Sequence, residues 1–399
     1  MFRQRLTLFR LLGFDVRVDA SWLILAALIT WSLAVGYFPH VYPDLPQSDF
    51  WWMGIAGAIG LFASIVFHEL SHSLVARRFG IPITGITLFI FGGLAEMDEE
   101  PASPKAELMM ALAGPFASVI LGGFLYSLAR ATGDSWPVPL TAVLAYLGWI
   151  NLVLAVFNLI PAFPLDGGRV LRAIVWRWKA DLRSATRIAA FAGEMFALLL
   201  MAVAVIQLFF GNLIGAIWLF LIGMFLSGAS RASYEQVVLR TTLQGEPVRR
   251  FMNTAPIAVA PAITIQEFVD QYVYQYHHKM FPVVLASRWL MGYVTTAEVK
   301  SVPREQWNER IVRDIFRPVS AENTVGTETD AVTAMTLMSR GGNTRLMVVE
   351  GDRLVGIVTL RDLLDFLTTK LDLEGGRSLT SRELEPVGLH LPRTATNHR

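Results

Sequence analysis

Long apolar runs separated by short polar loops fill the first 228 residues of the chain. Most of these runs approach the roughly 20 residues that a helix needs to cross the hydrocarbon core of a bilayer. Beyond this point charged residues recur steadily, and no apolar run is long enough to span. The pattern predicts a multi-pass α-helical membrane domain in residues 1–228, followed by a soluble region. The six predicted spans cover residues 21–37, 51–76, 105–130, 138–160, 188–210 and 213–227.

The loops between the predicted spans differ in their content of positive charge. Lys and Arg are concentrated before the first span, after the second and in the segment 169–187, whereas the loop 40–49 has none. Short loops rich in Lys and Arg normally lie on the cytoplasmic side of a membrane. We therefore expect a cell-membrane protein with both termini and the soluble region in the cytoplasm.

Two segments of the membrane domain have the pattern of strands. Polar and apolar residues alternate over 14–19, and the segment 81–97 is rich in β-branched and aromatic residues, with Gly85 and Gly92 as breaks. We expect a small β-sheet associated with the membrane face. Its exposed edge could pair with an unwound substrate by strand addition, or the hairpin could be purely structural.

The soluble region repeats itself at an offset of 64 residues. Val248-Arg249-Arg250 aligns with Val312-Arg313-Asp314, and Gly292-Tyr293-Val294-Thr295 aligns with Gly356-Ile357-Val358-Thr359. An offset that stays fixed across separated matches indicates duplication of one α/β unit, in the order strand, helix, strand, strand, helix. The predicted organisation is a linker at 229–247, two units at 248–311 and 312–370, and a flexible tail at 371–399.

Composition limits the chemistry that this chain can carry. Hydrophobic residues make up 53% of the 399 residues, which agrees with a membrane protein, and the formal net charge of +1 gives no reason to expect nucleic-acid binding. There are no cysteines, so disulfides and thiolate metal ligands are excluded. Any metal in this protein must take nitrogen and oxygen ligands.

The strongest chemical signal is the sequence His68-Glu69-Leu70-Ser71-His72 near the end of the second span. On a helix, two histidines four residues apart leave the same face about one turn apart. They could bind one zinc ion and set Glu69 beside it as a base. Chance occurrence on a packing helix is the alternative, but ionisable groups at membrane depth are costly and are usually functional.

A second polar segment ends the fourth span, with the sequence Asn158-Leu-Ile-Pro-Ala-Phe-Pro-Leu-Asp166-Gly-Gly. Two prolines and a pair of glycines cannot continue a regular helix, so the backbone must open here. Open backbone at membrane depth is tolerated only inside protein or beside a wet cavity. Asp166 alone would be interpreted as a turn residue, but beside a buried histidine pair it is a candidate third, oxygen ligand.

The first 228 residues resemble the site-2 protease family of intramembrane zinc metalloproteases. The resemblance covers roughly residues 10–228 and rests on the motifs HELSH at 68–72, FGGLA at 91–95, AGP at 113–115 and NLIPAFPLDGG at 158–168. It implies one Zn²⁺ per chain. It further implies that His68, His72 and Asp166 are the zinc ligands and that Glu69 is the general base. Asn158 and Pro164 would help to bind the substrate or shape the site.

Residues 248–370 resemble a tandem pair of cystathionine-β-synthase-type (CBS) regulatory domains. The resemblance implies a cleft for an adenine nucleotide (AMP, ADP or ATP), with Thr359 and Asp362 as contacts in the second unit. The matching residues of the first unit are Thr295 and Glu298, and Glu in place of Asp weakens the match there. A purely structural module, or one that forms a homodimer, is the alternative.

The predicted function is that of a zinc-dependent intramembrane metalloendopeptidase in regulated intramembrane proteolysis. Its substrate would be a single-span membrane-anchored protein, cut near the cytosolic boundary, with possible regulation by nucleotide bound to the CBS pair. Two alternatives remain open from the residues alone. They are a CBS-regulated membrane transporter and a non-catalytic nucleotide-sensing receptor.

Overall fold

The computed structural model describes residues 5–89, 92–97, 101–133 and 135–373. The chain divides into two compact units, Met1–Tyr234 and Glu235–Arg399. Of the predicted tail at 371–399, only the first three residues fall within the described part, and they end a helix.

Six helices of the described chain are long and apolar enough to cross a membrane, as predicted. In the first span α1 (Ala20–Ser32) passes through a π-helical segment into α2 (Phe38–Val41). The second to fourth spans are α3 (Gln47–Arg78), α4 (Pro104–Thr132) and α5 (Val138–Asn158). A shorter helix, α6 (Asp166–Lys179), precedes α7 (Leu182–Phe209) and α8 (Leu213–Leu243).

The last span differs from the prediction because α8 is twice as long as expected. Residues 229–243 belong to the predicted linker but continue the helix to Leu243. After Gly228 the sequence contains no Gly or Pro until Gly245, which adopts a left-handed φ of 82°. The polar residues of this stretch were interpreted as a linker, yet nothing in it breaks a helix.

A four-stranded sheet packs against the histidine-bearing helix α3. Its strands are β1 (Arg5–Leu11), β2 (Phe14–Asp19), β3 (Ile83–Phe89) and β4 (Gly92–Met97), in that order across the sheet. Strand β2 is antiparallel to β1 and parallel to β3, and β3 is antiparallel to β4. The predicted strand and hairpin are therefore both present, whereas β1 was not predicted.

The alternation along β2 explains why the sheet lies on α3. Phe14, Val16 and Val18 are buried and form one apolar cluster with Val66 and Leu70 of α3. Val66 and Leu70 flank His68 in sequence, so this cluster fixes the back of the helix that carries the histidines.

The spans approach each other closely where glycines face neighbouring helices. A Cβ at Gly122 of α4 would lie 2.9 Å from the carbonyl oxygen of Gly148 on α5. A Cβ at Gly148 would lie 2.8 Å from the backbone nitrogen of Tyr126. Such close approach of backbones is typical of helix packing in membranes.

The second unit contains two three-stranded sheets, of which one combines two strands from the first half of the repeat with one from the second, and the other lies within the second half. The first sheet has β5 (Met280–Val284), β6 (Leu290–Thr295) and β7 (Arg317–Pro318), in that order. The second has β10 (Arg353–Thr359), β9 (Arg345–Glu350) and β8 (Thr324–Gly326). The helices are α9 (Ile265–Phe268), α10 (Tyr274–Tyr276), α11 (Thr296–Lys300), α12 (Ala331–Gly341) and α13 (Leu360–Leu373).

Each half of the repeat pairs with the backbone of the other half at an equivalent position. Tyr293 pairs with Arg317 across the first sheet, and Ile357 pairs with Asn253 across the second. Both members of the second pair are related to members of the first by the 64-residue offset. The duplication that the sequence predicted is therefore also an approximate twofold relation in the fold.

Candidate metal centre and active site

Both histidines of the HELSH motif on α3 are buried, and each ring makes a hydrogen bond through its Nδ1 atom. His68 is 4% exposed and His72 is 7% exposed. The Nδ1 atom of His72 donates to the carbonyl oxygen of Met110 (2.7 Å), and Nδ1 of His68 hydrogen-bonds with the hydroxyl of Ser118 (2.9 Å). Because these contacts occupy the Nδ1 atoms, both Nε2 atoms are directed to one point, as in metal-binding histidines.

Asp166, the first residue of α6, meets the two histidines at that point. Its Oδ2 atom lies 3.1 Å from Nε2 of His68 and 3.2 Å from Nε2 of His72. The two Nε2 atoms are 3.1 Å apart. The ligand atoms of a tetrahedral zinc ion at bond lengths of about 2.0–2.1 Å are about 3.3 Å apart, so these three atoms have the spacing that zinc requires. Two His and one carboxylate leave a fourth position open, which is the pattern of catalytic zinc.

Gly114, in the AGP segment of α4, provides the space in front of the ligand atoms. A Cβ at this position would overlap Nε2 of His72 and lie 2.6 Å from Nε2 of His68. The sequence motif only supported the family resemblance, whereas the structure gives the physical reason for the glycine. Any side chain here would fill the space beside the two Nε2 atoms that a metal ion needs.

The irregular segment before Asp166 packs closely against the backbone of Gly167 and Gly168. A Cβ at Gly167 would overlap the carbonyl oxygens of Leu159 and Ile160, and a Cβ at Gly168 would lie 2.5 Å from the nitrogen of Phe163. The segment thus folds back tightly on the start of α6. This accounts for the Gly pair that follows the aspartate.

Two helices that come later in the chain also hold this segment. The carbonyl oxygen of Phe163 accepts a hydrogen bond from Ser230 of α8 (2.6 Å), and Ser230 is fully buried. A Cβ at Gly193 of α7 would overlap that same carbonyl oxygen. Sequence reasoning missed Ser230, because it lies in the stretch that was interpreted as a linker.

A buried ion pair joins α4 to α6 beside the metal position. Arg172 donates to Glu107, and the two residues are 4% and 0% exposed. The guanidinium of Arg172 also lies 5.2 Å from the centre of the Phe163 ring. Glu107 is three residues before Met110, whose carbonyl oxygen contacts His72, and Arg172 is six residues after Asp166. The ion pair therefore connects the part of α4 that contacts His72 with the helix that begins with Asp166. In the sequence, Arg172 is one of several basic residues in the segment 169–187, and nothing there marks it as buried.

The other predicted active-site residues border this cluster in sequence. Glu69 follows His68 on α3, and its side chain is half-buried. Asn158 is the last residue of α5, and its amide donates to the carbonyl oxygen of Leu154 in its own helix (3.0 Å). Pro164, which follows a cis peptide bond, is half-buried two residues before Asp166. The group that could hold a metal ion comprises His68, His72 and Asp166.

In the second unit, the residues predicted to contact nucleotide form two equivalent helix caps. Backbone N–H and hydroxyl of Thr359 both donate to Asp362, at 2.9 and 2.7 Å, at the start of α13. Thr295 makes the same bonds to Glu298 at the start of α11. The two caps differ in that Arg317 pairs with Glu298 (2.7 Å), whereas Asn253 stands at the equivalent position of the other half. Burial raises the pKa of Glu298, but the bonds from Thr295 and the charge of Arg317 outweigh it and lower that pKa.

Six helices that could span a membrane and a buried cluster of two histidines and an aspartate that could hold a metal are compatible with a membrane-embedded metallopeptidase. Two family models match the chain: Peptidase family M50 at residues 56–135 and 127–203, and the CBS domain at 312–369. Rip3 of Mycobacterium tuberculosis is 34% identical over 363 residues, which cover 90% of this chain and 92% of Rip3. Zinc metalloprotease MJ0392 of Methanocaldococcus jannaschii is 32% identical and covers 90% of this chain and 94% of its own.

A solved structure, the site-2 protease from Methanocaldococcus jannaschii, is 29% identical with a TM-score of 0.42. It covers 58% of this chain, and the match includes 95% of that protein. The chain belongs to peptidase family M50, the site-2 protease family. It is a multi-pass zinc-dependent intramembrane metalloprotease that carries a CBS domain, as the sequence analysis predicted.

Proposed function

We propose that this protease hydrolyses a peptide bond of a single-span membrane-anchored protein near the cytosolic boundary, in regulated intramembrane proteolysis. The observation that carries the proposal is the triangle formed by Nε2 of His68, Nε2 of His72 and Oδ2 of Asp166, with sides of 3.1 to 3.2 Å. The triangle supports one zinc ion per chain with these three ligands.

A bound zinc ion supplies two things to hydrolysis, a water of lowered pKa and polarisation of the substrate carbonyl. Glu69, next to His68 in the chain, takes a proton from the attacking water and returns it to the leaving amine. Ser118 and the carbonyl of Met110 keep the two imidazoles oriented during this cycle. Asn158 and Pro164, at the two ends of the segment before Asp166, contact the substrate backbone.

The substrate has to unwind before it can be cut, since helical carbonyls are already paired and shielded. Strand β4 lies at the end of the strand order in the described sheet, and the sheet packs on the histidine helix. An unwound substrate segment pairs with this edge as an added strand, which presents its carbonyls in an extended conformation.

The proposed orientation has the ends of α3 and α5, the sheet and the second unit in the cytoplasm. Arg77 and Arg78 end α3, and Arg169, Arg177 and Lys179 lie on α6. This concentration of positive charge supports a cytoplasmic location for that side of the bundle.

The second unit is proposed to bind an adenine nucleotide, with Thr359 and Asp362 as contacts, and to support a homodimer. The site at Asp362 is favoured over the equivalent site at Glu298 in the first half of the repeat, because Glu298 is already paired with Arg317. Calorimetry on the full chain with AMP, ADP and ATP tests the proposal. Binding that is lost in Asp362→Asn and kept in Glu298→Gln supports the assignment, and no heat with any of the three nucleotides contradicts it.

Glu69→Gln is the test of proteolysis. The variant should lose cleavage of a co-reconstituted single-span substrate and still retain about one zinc per chain, because it keeps all three ligands. His68→Ala should lose both zinc and cleavage. Asp49→Asn, in the first turn of the same helix, is the matched carboxylate control and should keep both.

Persistent cleavage by Glu69→Gln would show that Glu69 is not the base. A chain that binds no zinc, or that conducts ions equally well with and without Glu69, would favour the transporter or receptor alternatives. Membrane proteomics on cells with wild-type or Glu69→Gln protein then identifies the substrate. It is the single-span protein that accumulates with the variant.

A further inference from the structure

The helix that begins with Asp166 carries far more positive than negative charge toward its other end. From Arg169 to Arg187 the chain has six Lys or Arg residues and one acidic residue, Asp181. Arg172 is buried in its ion pair, but Arg177 and Lys179 are exposed. Asp181 bonds the backbone nitrogens at the start of α7 and so is committed to capping that helix. The end of α6 is therefore a cationic surface.

The same helix has an apolar stripe that is half-buried at Leu171 and Val175 and exposed at Ile174 and Trp178. Leu171, Ile174, Val175 and Trp178 have the spacing i, i+3, i+4, i+7 and share one face of α6. Trp178 is 80% exposed and Ile174 is 39% exposed. The residues of α6 that pack into the protein are others, among them Gly168, Arg172 and Ala173.

The connectivity determines what surrounds this stripe. Helix α6 lies between two membrane spans, α5 and α7, and is itself too short and too charged to span. Its end is therefore at the membrane boundary. The next helix, α7, exposes 60% of Phe191 and 52% of Leu198, as expected for a lipid-facing span.

We propose that residues 171–179 of α6 are seated in the headgroup layer of the bilayer, with the stripe toward the acyl chains and Arg177 and Lys179 bound to anionic lipid headgroups. An amphipathic helix with Trp on one face and Lys or Arg beside it has the composition of an interfacial helix. The charges make the surface selective for anionic lipid over zwitterionic lipid, by roughly fivefold for each cation near the surface. The proposal is independent of proteolysis, although α6 also carries the candidate ligand Asp166.

The absence of cysteine from the chain gives a direct experiment. Trp178→Cys in the full-length chain, labelled with bimane, provides a single attached probe at the most exposed residue of the stripe. The protein is reconstituted in vesicles of 70% phosphatidylcholine and 30% phosphatidylglycerol, in which only one of the two lipids is brominated. Bromine quenches only fluorophores that it approaches closely.

Per mole of brominated lipid, we expect several-fold stronger quenching by phosphatidylglycerol than by phosphatidylcholine. Arg177→Gln with Lys179→Gln should bring the two values together. Arg130→Gln, an exposed arginine at the far end of α4, is the matched control and should leave the preference unchanged. Ile174→Cys serves as a second reporter on the same stripe, in case the Trp178 variant is poorly folded.

Two reference positions calibrate the signal. Phe116→Cys, in the exposed face of the α4 span, should be quenched equally by both lipids, and Tyr274→Cys, exposed in the second unit, by neither. If bimane at positions 178 and 174 is quenched by neither lipid, as expected at position 274, the stripe is solvated or covered by protein and the proposal is overturned. Equal quenching by the two lipids would overturn the selectivity for anionic headgroups.

Discussion

The two sides of the metal centre are built in different ways. The histidine side is a regular helix in which two residues one turn apart converge by helical geometry alone. The aspartate side is an irregular segment whose carbonyl at Phe163 is held by Ser230, 67 residues later in the chain. The histidine pair is thus a local feature of the sequence, and the position of Asp166 depends on α4, α7 and α8.

We therefore expect different defects from two kinds of substitution. One kind fills the space beside the Nε2 atoms of the histidines, and the other removes the contacts that hold the segment before Asp166. Loss of space for the metal should remove zinc outright. Loss of support for Asp166 should leave a folded protein that binds zinc less tightly.

The largest effect is expected for Gly114→Ala, because the added methyl would overlap Nε2 of His72. Zinc content measured on the purified protein should fall from about one per chain to near zero, and cleavage should be lost with it. Gly123→Ala on the same helix has open space around its Cβ and is the control. Full zinc content in Gly114→Ala would contradict the described packing of α3 on α4.

The buried pair of Glu107 and Arg172 should give the next largest effect. Arg172→Met removes the cation that pairs with the buried Glu107, so it should destabilise the fold by about 3–5 kcal/mol in thermal or denaturant unfolding. Combining it with Glu107→Gln should recover part of the loss. Arg169→Met, one turn earlier on α6, is the matched control, and a double variant as unstable as the sum of the singles would argue against pairing.

Ser230→Ala should reduce zinc affinity by about tenfold, the lower end of the range for residues that orient metal ligands, with a smaller change in unfolding temperature. Competition with a chelator measures the affinity. Ser233→Ala removes a hydroxyl from the same helix that bonds only to its own backbone at Ala229, and it should have no such effect. Equal losses in the two variants would mean that the Ser230 bond supports α8 and not Asp166.

The smallest effect is expected in the second unit. There the helix cap at Thr359 is a local contact, whereas the ion pair of Glu246 and Lys370 joins residues distant in sequence. Hydrogen bonds from Lys370 and then Arg250 lower the pKa of Glu246 from its usual 4.5. A group with a lowered folded-state pKa stabilises the fold above its unfolded pKa and loses that contribution as the pH falls through the folded one. Unfolding of the full chain should therefore show a smaller loss of stability from pH 7 to pH 4 in Lys370→Met than in wild type.

Lys300→Met, on α11, is the control for that measurement and should keep the wild-type pH dependence. A pH dependence that is the same in Lys370→Met would show that the ion pair contributes little. Such a result is common for exposed pairs, but the Glu246 side chain is only 13% exposed.

The amino-acid sequence by itself determined the elements whose signals are local. Apolar runs gave the six spans, alternation gave β2, and the fixed offset gave the duplicated unit. The spacing of His68 and His72 predicted two of the three residues of the candidate metal cluster, because residues four apart on a helix point to the same side. The prolines and glycines around Asp166 indicated an opened backbone, although not what holds it.

Only the tertiary structure decided which distant groups meet. Ser230, Gly193, Glu107 and Arg172 have no distinctive spacing, and their roles arise from helices that pack against each other after long separations in sequence. The same holds for β1, whose place at the sheet edge depends on β2, and for the predicted linker, which is helical because nothing interrupts α8. A local pattern records the geometry of one element, whereas a buried hydrogen bond or ion pair between elements is fixed by the packing that excludes water from both partners.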